Sequence, residues 1–340
     1  MRRVRYASPG GPLFLEEVPV PRPDAGEVLV RCEAVGVTLP VVRKVTEAAE
    51  PVPLGGEVAG EVVALGADVT GLAVGDRVTG LCFGHGYADF AVLRREMTSP
   101  VPDGVGAVEA VALVRSGLVA LGALSAARPR PGEAALVTAA ASGVGHLAVR
   151  LARARGAVRV VGAVSDPGKA DFVRSLGADE VVVYGDDGWG EPVDYVLDGV
   201  GGDLLTPAVG ALAPGGRLVA YGSGGGTVRA YDLLVGARTV TGFQIARIAR
   251  ETPDVYEGWR RELWRLYAEE GLRPAVHGPY ALEDAAKAHE AVTSRGNLGK
   301  VVLVPSDRPG PLPPTRGKRR APGGPGTPGF GGLLCTDASR

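Results

Sequence analysis

The chain has 340 residues, 45% of them hydrophobic, and a formal net charge of −1. That is enough apolar material for two ordinary domains, and a balance so near neutral excludes a global field drawing the protein to nucleic acid or a membrane surface. Cys32, Cys82 and Cys335 are too few and too scattered for a disulfide framework or a zinc knuckle, which fits a reducing cytoplasm. Arg2 and Arg3 lead into polar sequence with no apolar signal region, and no apolar run is expected to be long enough to span a bilayer.

In chain order, residues 1–115 read as all-β. Gly26–Cys32 alternates, and Gly60–Leu65 and Arg77–Leu81 are short valine-rich runs. Pro23-Asp24, Gly55-Gly56, Gly66-Ala67-Asp68 and Gly75-Asp76 supply the turns. Strands at this spacing predict a small barrel, followed by a helix over Leu113–Ala126.

From Pro131 the pattern becomes an alternation of strands and helices. Ala134–Ala140 is an apolar run suited to a strand buried on both faces. Ala141-Ser142-Gly143-Val144-Gly145 is a turn of small residues. Leu147, Leu151 and Ala154 then repeat at helical spacing, with Arg150, Arg153 and Arg155 on the wet side. Free N–H groups at a helix N-terminus reached through glycines make a seat for a pyrophosphate. Further strands are predicted at Arg159–Val164, Glu180–Tyr184, Val193–Leu197, Gly216–Gly222 and Thr239–Ile245. Helices are predicted over Pro167–Leu176 and Asp203–Leu212, the second stopped by Pro214-Gly215-Gly216. Such βαβ alternation implies a doubly wound parallel sheet. Helices over Asp254–Glu270 and Leu282–Ser294 and a strand at Lys300–Val304 are expected to return to the first domain. The resulting division is 1–120, 121–250, 251–305 and a tail over 306–340. That tail has eight Gly, seven Pro and a GKRR run. It reads as disordered, and its basic run as solvated rather than as a nucleic-acid site.

Three stretches together carry a resemblance. Gly55-Gly56-Glu57-Val58-Ala59-Gly60-Glu61-Val62 is followed by Gly66 and Gly75-Asp76-Arg77-Val78. Gly86-Tyr87-Ala88-Asp89-Phe90-Ala91-Val92 resembles a GGYAEYAVV strand, and Thr138–Gly145 a TAAAGGVG turn with Ser142 in place of a glycine. Over about residues 1–305 the chain resembles the zinc-independent quinone oxidoreductase branch of the medium-chain dehydrogenase/reductase superfamily. The resemblance implies an α/β protein with a GroES-like β-barrel domain and a Rossmann domain.

The positions of the catalytic zinc ligands in the alcohol-dehydrogenase relatives fall on Thr38 and Gly56. Zinc needs nitrogen or sulfur donors, and His85, His146, His277 and His289 show no ligand spacing, so no metal is expected. A Rossmann fold selective for NAD carries an acidic residue at the end of the second strand. That position is Val164 here, and the nearby Asp166 reads as a helix cap. The resemblance implies that Ser165, Lys169 and Tyr184 surround the 2′-phosphate of NADPH. The turn of Ala141, Ser142, Gly143, Val144 and Gly145 and the strand-end residues Val200, Gly222 and Ser223 face the expected cofactor cleft, and the resemblance adds Asn297, which reads equally as a turn residue. The family's pocket-lining Asn and Asp become Thr38 and Val41, and its Thr in the helix before the Rossmann domain becomes Val119. Thr38 remains the candidate hydrogen-bond donor to substrate. Arg43 reads as solvated and Tyr87 as core.

The expected activity is NADPH-dependent hydride transfer to a quinone or an α,β-unsaturated carbonyl. The rival expectation, motivated by the lost Asn and Asp, is an NADPH-binding module of low turnover. Arg238–Ile245 is expected to be an edge strand that pairs with its copy in a homodimer.

Overall fold

The structure is a computed structural model and describes residues 1–82 and 84–306. The expected tail from 307 on, with its GKRR run, lies outside the described residues.

Strands β1 (Arg2–Arg5) and β2 (Phe14–Glu17) form an antiparallel ribbon. Strands β3 (Glu27–Gly36), β4 (Glu57–Leu65), β5 (Arg77–Leu81), β6 (Phe90–Arg94) and β7 (Thr98–Pro100) build the first sheet. The all-β expectation for residues 1–115 needs correction, because helix α1 (Leu39–Glu47) stands between β3 and β4. Its valines are β-branched and mimic a strand. Yet Pro40 occupies the first turn, and Val41, Val42 and Val45 bury one face at helical spacing.

Helix α2 (Ala107–Ala127) packs on β3, β4 and β5 on one side and on later elements on the other. It begins six residues before its predicted start. With 21 residues and a mean hydropathy of 1.8 over its most apolar stretch, it is long and apolar enough to cross a membrane. The expectation that no run had that length is therefore corrected. Its residues are mostly buried inside the protein, where the helix is the shared core element of the two sheets.

The second sheet is wholly parallel. It alternates β8 (Ala134–Val137), α3 (Gly145–Ala154), β9 (Arg159–Val164), α4 (Ala170–Ser175), β10 (Glu180–Val183), β11 (Val193–Asp198), α5 (Leu205–Gly210), β12 (Leu212–Ala220), α6 (Ala230–Gly236) and β13 (Thr239–Gly242). Its order is β10-β9-β8-β11-β12-β13, so the winding reverses between β8 and β11. The loops after these two strands diverge there and open a crevice. Two predicted boundaries shift. Pro214-Gly215-Gly216 does not stop a helix but bulges inside β12, whose ladder with β11 breaks after Leu212 and resumes at Arg217. The strand expected through Ile245 ends at Gly242, and Ile245 opens helix α7 (Ile245–Glu251).

Helix α8 (Pro253–Glu270) packs Tyr256, Leu263 and Leu266 into the cluster shared by α2 and α3. Strand β14 (Val276–Ala281), helix α9 (Ala285–Thr293) and strand β15 (Lys300–Val304) then rejoin the first sheet, β15 pairing with β3. A single bridge, Ser142 to Gly299, ties the glycine turn after β8 to this returning segment.

Candidate active site

A cleft of about 430 Å³ lies at the crevice and is walled by both sheets. Of the residues expected at the site, Thr38, Ala141, Ser142, Gly143, Val144, Ser165, Lys169, Tyr184, Val200, Gly222, Ser223 and Asn297 line it. Gly145 does not. It is spent on packing, since a Cβ there would stand 2.0 Å from the Ala139 carbonyl oxygen. Its absence of a side chain seats the N-terminus of α3 directly on the end of β8.

The turn is internally braced. Ser142 N–H donates to Ala139 O at 2.8 Å, and Gly145 N–H donates to Ser142 Oγ at 3.0 Å. The serine that replaces a family glycine thus caps α3. Among the described residues, the N–H groups of Gly143 and Val144 are left unpaired at the start of the helix, where the dipole favours an anion. Across the crevice, Gly222 meets the other loop so closely that a Cβ would lie 2.4 Å from Gly199 backbone.

Ser165, Lys169 and Tyr184 come together from the ends of β9 and β10. Lys169 Nζ lies 3.5 Å from Ser165 Oγ and donates to the Arg295 carbonyl. Burial draws the Lys169 ammonium below its ordinary pKa, partly offset by Asp166. The Tyr184 hydroxyl accepts from Ala139 N–H at 2.7 Å, and burial pushes its pKa up to about 12. The phenol therefore stays protonated and keeps a proton to donate. Asp166 accepts from Gly168 N–H at 2.7 Å, so it caps the following turn as expected. Asn297 lines the cleft and also serves its turn, with Nδ2 donating to Gly299 O at 2.8 Å.

Thr38 is 8% exposed and stands at the start of α1. Its backbone carbonyl accepts from Val41 and Val42, while its hydroxyl makes no hydrogen bond among the described residues. Val119 lines the cleft where the family carries a threonine. Arg43 is not simply solvated. Its Nη1 donates to Ser223 O at 3.1 Å and lies 3.3 Å from Ser223 Oγ, linking the first domain to the second at the cleft. Tyr87 is core, as expected, its ring 1% exposed and its hydroxyl 3.1 Å from His289 Nε2.

Four charged residues of the cleft region were not singled out from the sequence. Arg295 sits in the left-handed region at φ 55 beside Lys169. Glu57, Lys300 and Arg115 form a cluster in which Lys300 Nζ donates to Glu57 Oε1 and Arg115 Nε lies 3.1 Å from Glu57 Oε2. A signal was present: Glu57 and Lys300 each open a largely apolar strand, and Arg115 interrupts a largely apolar helix.

Comparison with known proteins places this geometry. Residues 24–121 match the alcohol dehydrogenase GroES-like domain, and residues 143–261 match the zinc-binding dehydrogenase family. A quinone oxidoreductase of Pseudomonas aeruginosa is 33% identical over 326 residues, which span 89% of this chain and 99% of that protein. The chain belongs to the zinc-independent quinone oxidoreductase branch of the medium-chain dehydrogenase/reductase superfamily. An acryloyl-coenzyme A reductase of Metallosphaera sedula is 31% identical over 85% of this chain and 96% of its own length. A mycobacterial structure solved as a complex with NADPH superposes with a TM-score of 0.84 at 32% identity, covering 90% of this chain and all of that one. Like others of the branch, this member has a GroES-like domain joined to a Rossmann domain and is an oxidoreductase.

The zinc named in the second matching family does not fit this member of the quinone oxidoreductase branch. Among the described residues no three of His, Cys, Asp and Glu stand together as ligands. His146 spends both ring nitrogens, 2.8 Å from Ser142 O and accepting from Ala275 N–H at 2.9 Å. Its burial lowers its pKa to about 4.

Proposed function

We propose that the cleft holds NADPH and that the protein reduces a quinone or an α,β-unsaturated carbonyl without zinc. One observation carries the reading. A single cleft is walled by the glycine turn and the Ser165, Lys169, Tyr184 group of one domain and by Thr38 of the other. The donor set fits the cofactor. The unpaired N–H groups of Gly143 and Val144 suit the pyrophosphate. Lys169, Arg295 and two hydroxyls suit a 2′-phosphate, and Asp166, which caps the next turn, is not among the residues lining the cleft where a ribose 2′-OH would lie. Gly222 lets the loop after β12 close on the Gly199 backbone, which shapes the cleft wall where the cofactor would lie.

When bound, the cofactor supplies the hydride. The protein's part is to position the acceptor and stabilise the oxygen on which charge develops. Thr38, with its hydroxyl uncommitted and its backbone fixed by α1, is the donor placed for that oxygen. Val37, Leu39 and Val119, which line the cleft, keep the surroundings apolar and exclude water.

Lys169→Ala tests the cofactor assignment. Losing a charged hydrogen bond costs about 1.5–3 kcal/mol, so the KM for NADPH should rise about ten- to a hundredfold with little change for NADH. Steady-state kinetics with both cofactors decide it, and equal use of the two by the parent protein removes the basis of the assignment. Turnover of a panel of quinones and enones separates an enzyme from a binding module.

The working form is a homodimer in this reading. Strand β13 ends the parallel sheet and is largely exposed. Tyr231, Leu234 and Val235 of the preceding helix are also exposed, at 64%, 74% and 70%. A partner covering both an open edge and an apolar patch accounts for the two features together. Light scattering at micromolar concentration should give a dimer, and Thr241→Pro, which removes a backbone donor, should give monomers. A monomeric parent refutes the assembly. Cytoplasmic residence is part of the same reading, supported by two buried free thiols at Cys32 and Cys82.

A further inference from the structure

Among the described residues, the inner wall of the cleft carries one more cation than it has carboxylates to balance. Helix α2 is apolar along most of its length, yet Arg115 interrupts it on the cleft side. Its Nε stands 3.1 Å from Glu57 Oε2 without the alignment of a hydrogen bond, and that oxygen has no hydrogen-bond partner. The other oxygen of Glu57 is taken by Lys300. The Glu57 and Lys300 side chains are 2% and 3% exposed, and that of Arg115 is 24% exposed toward the cleft. Two cations therefore share one carboxylate, leaving one net positive charge. Among the described residues Arg115 makes no hydrogen bond, so its fork of donors is open. The hydroxyl of Ser116, the next residue, is buried, lines the same cleft and also lacks a partner.

Partly buried donors and an unbalanced charge cost free energy unless a ligand satisfies them. A guanidinium fork beside a hydroxyl matches the two oxygens of a carboxylate, which it grips in parallel. We infer that Arg115, assisted by Ser116, recognises a carboxylate on the acceptor, so that small α,β-unsaturated acids are preferred over their neutral esters. The inference rests on the reductase reading above. It also answers a chemical difficulty. A free carboxylate withdraws electrons poorly from its double bond, and pairing it with a guanidinium raises the electron demand at the β-carbon.

The test has a binding arm and a kinetic arm. In the first, protein loaded with NADP⁺ is titrated calorimetrically with propionate and with propionamide. Propionate should bind and propionamide should not. Arg115→Met should weaken propionate about ten- to a hundredfold, and Arg115→Lys should restore part of the loss as a point charge. Circular dichroism establishes that both variants fold. In the second arm, acrylate is compared with methyl acrylate in the presence of NADPH. The parent should favour the acid about tenfold or more in kcat/KM, and Arg115→Met should erase that ratio through the KM of the acid. Failure of the parent to bind propionate overturns the inference. So does an Arg115→Met variant that loses kcat on acid and ester alike, the mark of a general oxyanion stabiliser. A rise in the KM of NADPH alone overturns it in favour of a cofactor contact. Turnover of 1,4-benzoquinone with acid and ester treated alike overturns the inference and leaves the reductase reading standing. Selective propionate binding with no turnover of any acceptor supports the anion site and overturns the reductase reading.

Discussion

Glu57→Gln is expected to cost about 3–5 kcal/mol of folding stability, because removing one member of a buried ion pair leaves the other charge uncompensated. Here the cost falls on two cations. Glu57 accepts from the almost wholly buried Lys300 and lies against Arg115, so its neutralisation leaves like charges facing each other. Lys300→Met should cost less, although it takes from Glu57 the one side-chain hydrogen bond it accepts among the described residues. Glu57 keeps Arg115, and the methionine fills the space of the lysine stem. The site has been shaped around the carboxylate. A Cβ at Gly36 would come within 2.1 Å of Glu57 Oε1, so the glycine makes room for it. The pH dependence carries a sign. Burial already draws the Lys300 pKa down, with Arg115 acting in the same direction and Glu57 opposing. Without Glu57 the folded-state value falls further below the unfolded value of about 10.4. A base depressed in this way penalises the fold while it is charged. The deficit of Glu57→Gln relative to the parent should therefore be largest near neutral pH and shrink as pH rises toward 10. Urea unfolding of both variants at several pH values measures it. Equal losses for Glu57→Gln and Lys300→Met would contradict the shared-carboxylate geometry.

What the sequence makes legible here follows from how local each cause is. The parallel strands are nearly continuous apolar runs, and Arg77–Leu81, Arg159–Val164 and Lys300–Val304 fall where periodicity places them. The glycine turn is legible as a motif, Ser165, Lys169, Tyr184 and Thr38 through the family resemblance, and the cap at Asp166 from its place just before the helix expected at Pro167. Helix α1 is hidden because its buried face is built from valines, whose intrinsic preference points to a strand until tertiary packing overrides it. Strands β1, β2 and β14 are short and partly polar, and register with distant partners rather than composition makes them strands. The Glu57–Lys300 pair joins residues 243 positions apart. Sequence marks each as a charge in an apolar context but does not say which opposite charge it meets. Arg43 reads as solvated because its partner, the Ser223 carbonyl, lies 180 residues away on the other domain.

Those long-range pairs explain why the cleft sits where it does. Glu57 belongs to β4, Arg115 to the helix shared by both sheets, and Lys300 to the returning strand β15. The ideal Cβ of Gly143 would touch the Lys300 stem at 3.1 Å, so the same lysine packs under the glycine turn of the second domain. The cluster fixes the first domain, the return segment and the turn relative to one another. An incoming cofactor therefore meets a turn whose position is already set, which lowers the ordering cost of binding.

The two glycines of that turn should differ in stability when replaced by alanine, while both lose cofactor affinity. At Gly145 the added Cβ would stand 2.0 Å from Ala139 O, 2.7 Å from Ala139 C and 3.0 Å from Ala140 Cα. All three neighbours are backbone of the turn that leaves β8, so none can swing aside as a side chain would. The N-terminus of α3 has to lift off β8, carrying the unpaired N–H groups of Gly143 and Val144 with it. Overpacking of this kind costs about 1–3 kcal/mol and more where backbone is the obstacle. Gly145→Ala should thus lose both stability and NADPH affinity, the latter by about a hundredfold. At Gly143 the nearest atom is Lys300 Cδ at 3.1 Å, part of a side chain that can yield by a few tenths of an ångström. Gly143→Ala should keep its stability within about 0.5 kcal/mol of the parent. Gly143 lines the cleft, however, and a methyl group there holds the pyrophosphate away from the N–H groups, so cofactor affinity should still fall about tenfold or more. Urea unfolding together with titration of NADPH fluorescence separates the two effects. A Gly145→Ala protein as stable as the parent would show that α3 does not need to seat on the strand end, and a Gly143→Ala protein with unchanged NADPH affinity would move the pyrophosphate away from this turn.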